Sequence, residues 1–108
     1  MDAPETGLTL LLEAEKDILD IHDWYESRRL GLGAEFELCI DEAFERINRH
    51  PEASPIWYRS TRRLILSRFP YSLHFAVLTN DIIVIAIMHV KRCPVRIQSR
   101  LNSRLKNH

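Results

Sequence analysis

From Glu13 to Arg29, apolar or aromatic residues recur at Ala14, Ile18, Ile21 and Tyr25, while the acids Glu15, Asp17, Asp20, Asp23 and Glu26 fall largely off that line. This is the i, i+4, i+7, i+11 rhythm of an amphipathic helix. Ahead of it, Gly7 to Leu12 reads as a short apolar strand. Behind it, Gly31 and Gly33 permit the positive dihedral of a helix stop and a chain reversal. Phe36, Ile40, Ala43, Phe44 and Ile47 then repeat the helical spacing to about His50, where Pro51 forbids continuation. Two helices joined this closely form a hairpin.

After the proline-containing loop from Pro51 to Ile56 the period changes. Tyr58 to Ser67 and Tyr71 to Thr79 read as strands flanking an Arg68-Phe69-Pro70 bend, and Asn80-Asp81 is the turn before Ile82 to Val90. Ile82 to Met88 is almost wholly apolar and rich in β-branched residues, which predicts a central strand covered on both faces, one of them by the helical hairpin. The tail from Val95 to His108 is a basic run that fits a helix or a mobile arm. The expected fold is two-layer α+β: an N-terminal strand, a helical hairpin, then a three-stranded antiparallel meander completing one sheet. A chain of 108 residues supports one core, so residues 1–108 read as a single domain, with 95–108 its basic C-terminal helix or arm.

The formal net charge is zero, but the charge is divided. Residues 1–50 carry thirteen acids and five bases, a net of −8, and residues 51–108 carry ten bases and two acids, a net of +8. One reading is solvated helix acids and basic strand edges; the sharper one is a molecule with one face made for phosphate. The acids Asp2 and Glu5, the interruption of the first apolar run by Glu13, and the shortness of Ile82 to Met88 argue against a secreted or membrane chain, so a cytoplasmic location is expected. Cys39 and Cys93 lack zinc or redox spacing and read as reduced thiols, Cys39 in the core. No metal or cofactor is expected.

Candidate chemistry concentrates between Arg62 and Pro94. Arg62, Arg63 and Arg68 precede Phe69, Pro70 and Tyr71, and His89, Lys91 and Arg92 close the segment. Strands fix side-chain directions, so cations at the ends of neighbouring strands are expected to converge on one patch beside a titratable His. The competing reading has His89 ending a core strand with its ring bonded to backbone, and Arg68 and Arg92 bracing a sheet edge or pairing with helix acids. The scarcity of acids nearby in sequence favours an anionic partner over such pairing. Phe69 and Tyr71 read mainly as packing, as do His22, Trp24 and His74, and His50 as a helix-end residue.

In this order and spacing, several landmarks resemble a RelE/ParE-type toxin over roughly Leu10 to Arg100. They are Trp24-Tyr25-Glu26, Gly31-Leu32-Gly33 with Phe36, Arg63-Leu64 before Arg68-Phe69-Pro70-Tyr71, Leu73 and Phe75, then His89, Arg92 and Pro94. The resemblance implies a RelE-like fold and the growth-inhibiting half of a type II toxin–antitoxin pair of plasmid-stabilisation type. It also implies neutralisation by a co-encoded antitoxin, with operator DNA reached only through that antitoxin. RelE-like members cut messenger RNA on the ribosome; ParE-like members lack the nuclease residues and are associated with inhibition of DNA gyrase.

RNA cleavage needs help for the attacking 2′-hydroxyl, cations on the phosphoryl oxygens and a proton for the leaving oxygen. If the chain is a nuclease, His89 is the proton carrier and Arg68 and Arg92 are the phosphate clamp. Arg62, Arg63, Tyr71, Lys91 and Arg96 are candidates for binding an anion or the antitoxin. Lys91 is the only lysine near the site, unlike the lysine-rich strand of RelE, and Glu52, a conceivable base, lies in the loop before the strands. The incomplete nuclease set tilts the reading to a ParE-like gyrase inhibitor, with ribosome-dependent cleavage or a degenerate toxin that only binds antitoxin as alternatives.

Overall fold

A computed structural model describes residues 7–107, so Asp2, Glu5 and His108 lie outside the described residues. Strand β1 (Gly7–Leu10) leads into helices α1 (Leu12–Arg28) and α2 (Leu32–Arg49), and a 3-10 turn at Pro51–Ala53 follows. Strands β2 (Ile56–Tyr58), β3 (Thr61–Ile65), β4 (Tyr71–Val77) and β5 (Asp81–His89) come next, and helix α3 (Pro94–Lys106) closes the chain. The sheet order is β1-β5-β4-β3-β2, antiparallel except where β1 runs parallel to β5. Among the described residues no helix is long and apolar enough to cross a membrane.

The α+β class and the hairpin-then-meander order match the expectation, but the sheet has five strands where four were predicted. The extra strand arises because Tyr58–Ser67 is not continuous. Arg59 takes a left-handed φ of 53°, and the Thr61 hydroxyl donates to the Tyr58 carbonyl, folding β2 back on β3. Nothing in the apolar alternation marks that reversal, since Arg59-Ser60 lacks the glycine such turns usually carry. The glycine expectation is corrected too. Gly31 alone of the two has positive φ, 88°, while Gly33 sits in the first turn of α2.

The reason Gly33 must lack a side chain is proximity. An added Cβ would lie 2.6 Å from the His22 ring and 2.8 Å from the His22 carbonyl oxygen, so the α1–α2 crossing closes only over glycine. Glu26 completes the turn. Its carboxylate accepts the Gly31 and Gly33 N–H groups, both at 2.9 Å, which answers donors that a helix start leaves unpaired. Those two bonds hold its carboxyl below the usual carboxylate range.

Facing residues in the β3–β4–β5 register share a face. Leu64, Leu73 and Ile87 form a row against the hairpin, where Phe36, Ile40, Ala43 and Ile47 of α2 are buried. Arg63, His74 and Ala86 form a row on the other face, where Trp57 lies 5.2 Å from the His74 ring and α3 buries Ile97 and Leu101. Both faces of β5 are therefore covered, and the basic tail is an ordered helix through Lys106 that supplies the second cover. A register shift opposite His74 and Phe75 leaves Ile85 as an extra residue, a bulge in mid-strand.

His74 is fully buried, with Nε2 2.9 Å from the Ser72 hydroxyl and Nδ1 without a hydrogen-bond partner. Burial first, and the nearby Arg63 charge second, pull its pKa down from 6.5 to about 4. Below pH 6.5 the unfolded chain takes up a proton that the folded chain refuses. The stability this site contributes is thus present above pH 6.5 and lost as pH falls toward 4, by up to about 3 kcal/mol. Urea unfolding at pH 7 and pH 4.5 should show this loss, and His74→Gln should flatten the dependence across that window.

Candidate functional site

The two basic clusters predicted to converge do not. Arg62 and Arg63 face Phe75 and His74, three to four positions along β4 from Tyr71, or roughly 10–13 Å at strand rise. As successive strand residues they point to opposite faces, and each is used locally. Arg62 Nη1 donates to the carbonyls of Ser54 at 2.7 Å and Glu52 at 3.4 Å, fastening the 3-10 segment to β3. Arg63 stacks over the Trp57 ring at 5.3 Å. Glu52, held by this contact, stands apart from the residues that do gather at the other end of the sheet.

There, Tyr71 opens β4 directly opposite His89 at the end of β5, and their rings meet edge-on at 5.1 Å. The turn after β5 is closed by the Arg92 N–H bonding the His89 carbonyl, which returns Arg92 toward Tyr71. These three residues line an open cleft of about 220 Å³ together with Asp17, Asp20, Ile21, Ile87, Met88 and Arg100. The His89 Nδ1 accepts the Lys91 N–H at 3.1 Å, which leaves Nε2 for an outside partner. Burial pushes the Tyr71 phenol up despite opposing contributions from the Tyr25 hydroxyl bond and the Arg92 charge. At neutral pH Tyr71 is therefore a protonated hydroxyl, suited to donate or orient rather than to act as a base.

Arg68 is outside this cleft. Its guanidinium pairs with Glu35 of α2 at 3.1 Å, and Arg29 takes the other oxygen of the same carboxylate at 3.2 Å. Arg68 thus makes the pairing with a helix acid that was the competing reading, because folding brings Glu35 from 33 residues away in sequence. With the Arg68 side chain 62% exposed, the pair contributes only about 0–1 kcal/mol, so an anionic partner can displace it. Lys91 is exposed in the turn, and Arg96 lies on the outer side of α3. Trp24 is half exposed under Arg28, contrary to its predicted packing role, and Cys39 is buried while Cys93 is exposed.

Sequence reasoning passed over the groups that build the cleft wall. Arg104 makes a two-pronged pair with Asp17, at 2.6 and 3.0 Å, and donates to the Ile85 carbonyl at 3.0 Å, while Asp17 accepts the Ile87 N–H at 3.1 Å. β1 covers β5 only as far as Val84, with Leu11 N–H taking the Val84 carbonyl, so the edge beyond would be open. Asp17 and Arg104 close it by satisfying its backbone groups with side chains. A signal was present: Asp17 lies three residues after Ala14 and four before Ile21, on the buried stripe of α1 rather than off it.

Four landmarks of the resemblance, Tyr25, Phe36, Phe69 and Tyr71, meet in one aromatic cluster beside the cleft. Tyr25 lies 4.9 Å from Phe69 and 5.8 Å from Phe36, Phe36 lies 5.4 Å from Phe69 and 5.9 Å from Tyr71, and Glu26 with Gly33 fixes the crossing below. This cluster joins both helices to the β3–β4 bend and so sets where Tyr71 stands. Residues 8–94 match the family described as the ParE toxin of type II toxin-antitoxin system, parDE. The chain belongs to the ParE toxin family. A search of curated proteins returned no match. Among solved structures, a chain of the chromosomal ParDE toxin–antitoxin system from P. aeruginosa aligns with TM-score 0.73 and 22% identity, covering 82% of this chain and all of that one. A chain of the RelBE2 toxin–antitoxin complex from Mycobacterium tuberculosis aligns with TM-score 0.51 and 18% identity, covering 79% of this chain and 98% of that one. At these identities the likeness is one of fold. In this ParE chain the landmarks Tyr25, Glu26, Gly33, Phe36 and Phe69 hold the scaffold, and Tyr71 joins that cluster to the cleft.

Proposed function

We propose that this ParE toxin inhibits growth by binding and blocking DNA gyrase, and that a co-encoded antitoxin neutralises it by occlusion. The observation that carries the reading is an incomplete nuclease set: His89 and Arg92 share the cleft, but Arg68 stands outside it, beside Glu35. Within the cleft, Tyr71 stays protonated and Asp17 is bound by Arg104, which removes both as the base that 2′-hydroxyl attack requires. What the cleft does offer is recognition: His89 Nε2 and the guanidiniums of Arg92 and Arg100 beside a phenol, a set that suits an acidic or phosphate-bearing surface.

An antitoxin partner fits the same molecule. Leu12 and Leu19 are exposed two turns apart on α1, 74% and 59% accessible, and Leu30 beyond its end is 89% accessible. An amphipathic partner segment would bury this apolar line while its acids engage nearby cations. Both solved relatives come from toxin–antitoxin systems. The binding reading is tested by incubating the purified chain with ribosomes programmed with messenger RNA. Intact RNA is expected; cleavage that His89→Gln or Arg92→Ala abolishes in a folded protein would replace the binding reading with the enzymatic one.

A further inference from the structure

The chain holds no acid after Asp81, and α3 is where this excess of positive charge is displayed. Ile97 and Leu101 turn inward and Arg104 is spent on Asp17, so these positions define the inner face of the helix. Arg96, Ser99, Arg100 and Ser103 are exposed on a neighbouring side and together line one open groove. Arg96 and Arg100, four residues apart, are neighbours on the helix surface, and a like-charged pair at that spacing destabilises a helix unless something outside neutralises it. Arg100 also borders the cleft that contains Arg92 and His89, where Asp17 is taken up by Arg104 and Asp20 is the further acid.

We infer that this ridge on α3 binds the phosphate backbone of duplex DNA directly, without reading its sequence. Arginines fix phosphates by paired hydrogen bonds, and serine hydroxyls between them are further phosphate donors. Tyr58 shares a groove with Ser99 and Ser103, but Arg59 lies over its ring at 5.3 Å and Asn102 donates to its hydroxyl at 2.8 Å, so the ring is engaged rather than open to an unpaired base, which favours a duplex over a single strand. A straight helix presenting cations about 6 Å apart suits a regular row of phosphates. The contact belongs to the toxin itself and does not pass through an antitoxin, and it stands whichever target the toxin blocks.

The experiment is an anisotropy titration of a labelled duplex of arbitrary sequence with the purified chain at several salt concentrations. Wild type should bind with an affinity that falls linearly in log–log form as salt rises. The double variant Arg96→Gln with Arg100→Gln should lose about two units of that slope, at about 0.9 per phosphate contact. Arg46→Gln, on α2 beside His50 and Ala53, should keep the slope, and the double lysine variant Arg96→Lys with Arg100→Lys should restore it. A wild-type slope in the glutamine double variant overturns the proposal. So does absence of binding at low salt, or equal binding of a single strand or a polyglutamate peptide.

Discussion

Asp17→Ala lowers the stability of the fold by about 3–5 kcal/mol. Three consequences combine. The Arg104 guanidinium, whose side chain is only 11% exposed, keeps its charge but loses its counter-ion. The Ile87 N–H loses its acceptor at the uncovered edge of β5, and α3 loses its link to α1. The cost arises from stranding a charge, so removing both partners should be far milder than removing one. The double variant Asp17→Ala with Arg104→Met should recover most of the loss in urea unfolding. Equal losses in the single and double variants would mean that the edge closure, not the stranded cation, dominates.

Gly33→Ala is expected to cost about 2–3 kcal/mol, or roughly 10–20 °C in melting temperature, although it adds only one methyl group at this buried crossing. Two of the three close approaches are to ring atoms of His22, but the third is to its backbone carbonyl, which cannot swing aside. The ring is itself tethered, with Nδ1 3.1 Å from Asp23 and Nε2 3.4 Å from Glu37. Relief therefore requires the two helices to separate. Separation would also pull the Gly33 N–H from Glu26 and shift Phe36 against Tyr25. Gly31→Ala acts by another route, through backbone strain at φ 88° with nothing within 4 Å of the added Cβ, and should cost only about 1 kcal/mol. Thermal melts of the two variants side by side separate crowding from strain.

Local periodicity made the hairpin, the Pro51 stop and the buried strand ending at His89 legible in the sequence, because each is written in the spacing of its own apolar residues. What failed required knowledge of which segments meet. Glu35 reaches Arg68 across 33 residues, and Asp17 reaches Arg104 across 87. Neither pairing leaves a mark in either local pattern. Arg62 and Arg63 were misplaced because adjacent strand residues diverge, and their proximity in sequence to Arg68 hid the strand length between them. The tail was ambiguous because its basic spacing drew attention from Ile97, Leu101 and Leu105, whose four-residue intervals give the buried face of α3. Tyr71, His89 and Arg92 lie together because the bend at Phe69 and the turn after His89 place them at one end of adjacent strands.

The proposed action of the toxin is to bind gyrase rather than to cut RNA. It is tested most directly by titrating the purified chain into a gyrase supercoiling reaction on relaxed plasmid. Supercoiling should fall to background at saturating toxin, and the combined variant His89→Gln with Arg92→Ala should relieve the inhibition while retaining the wild-type fold. Unaffected supercoiling at saturating, folded toxin would contradict the account.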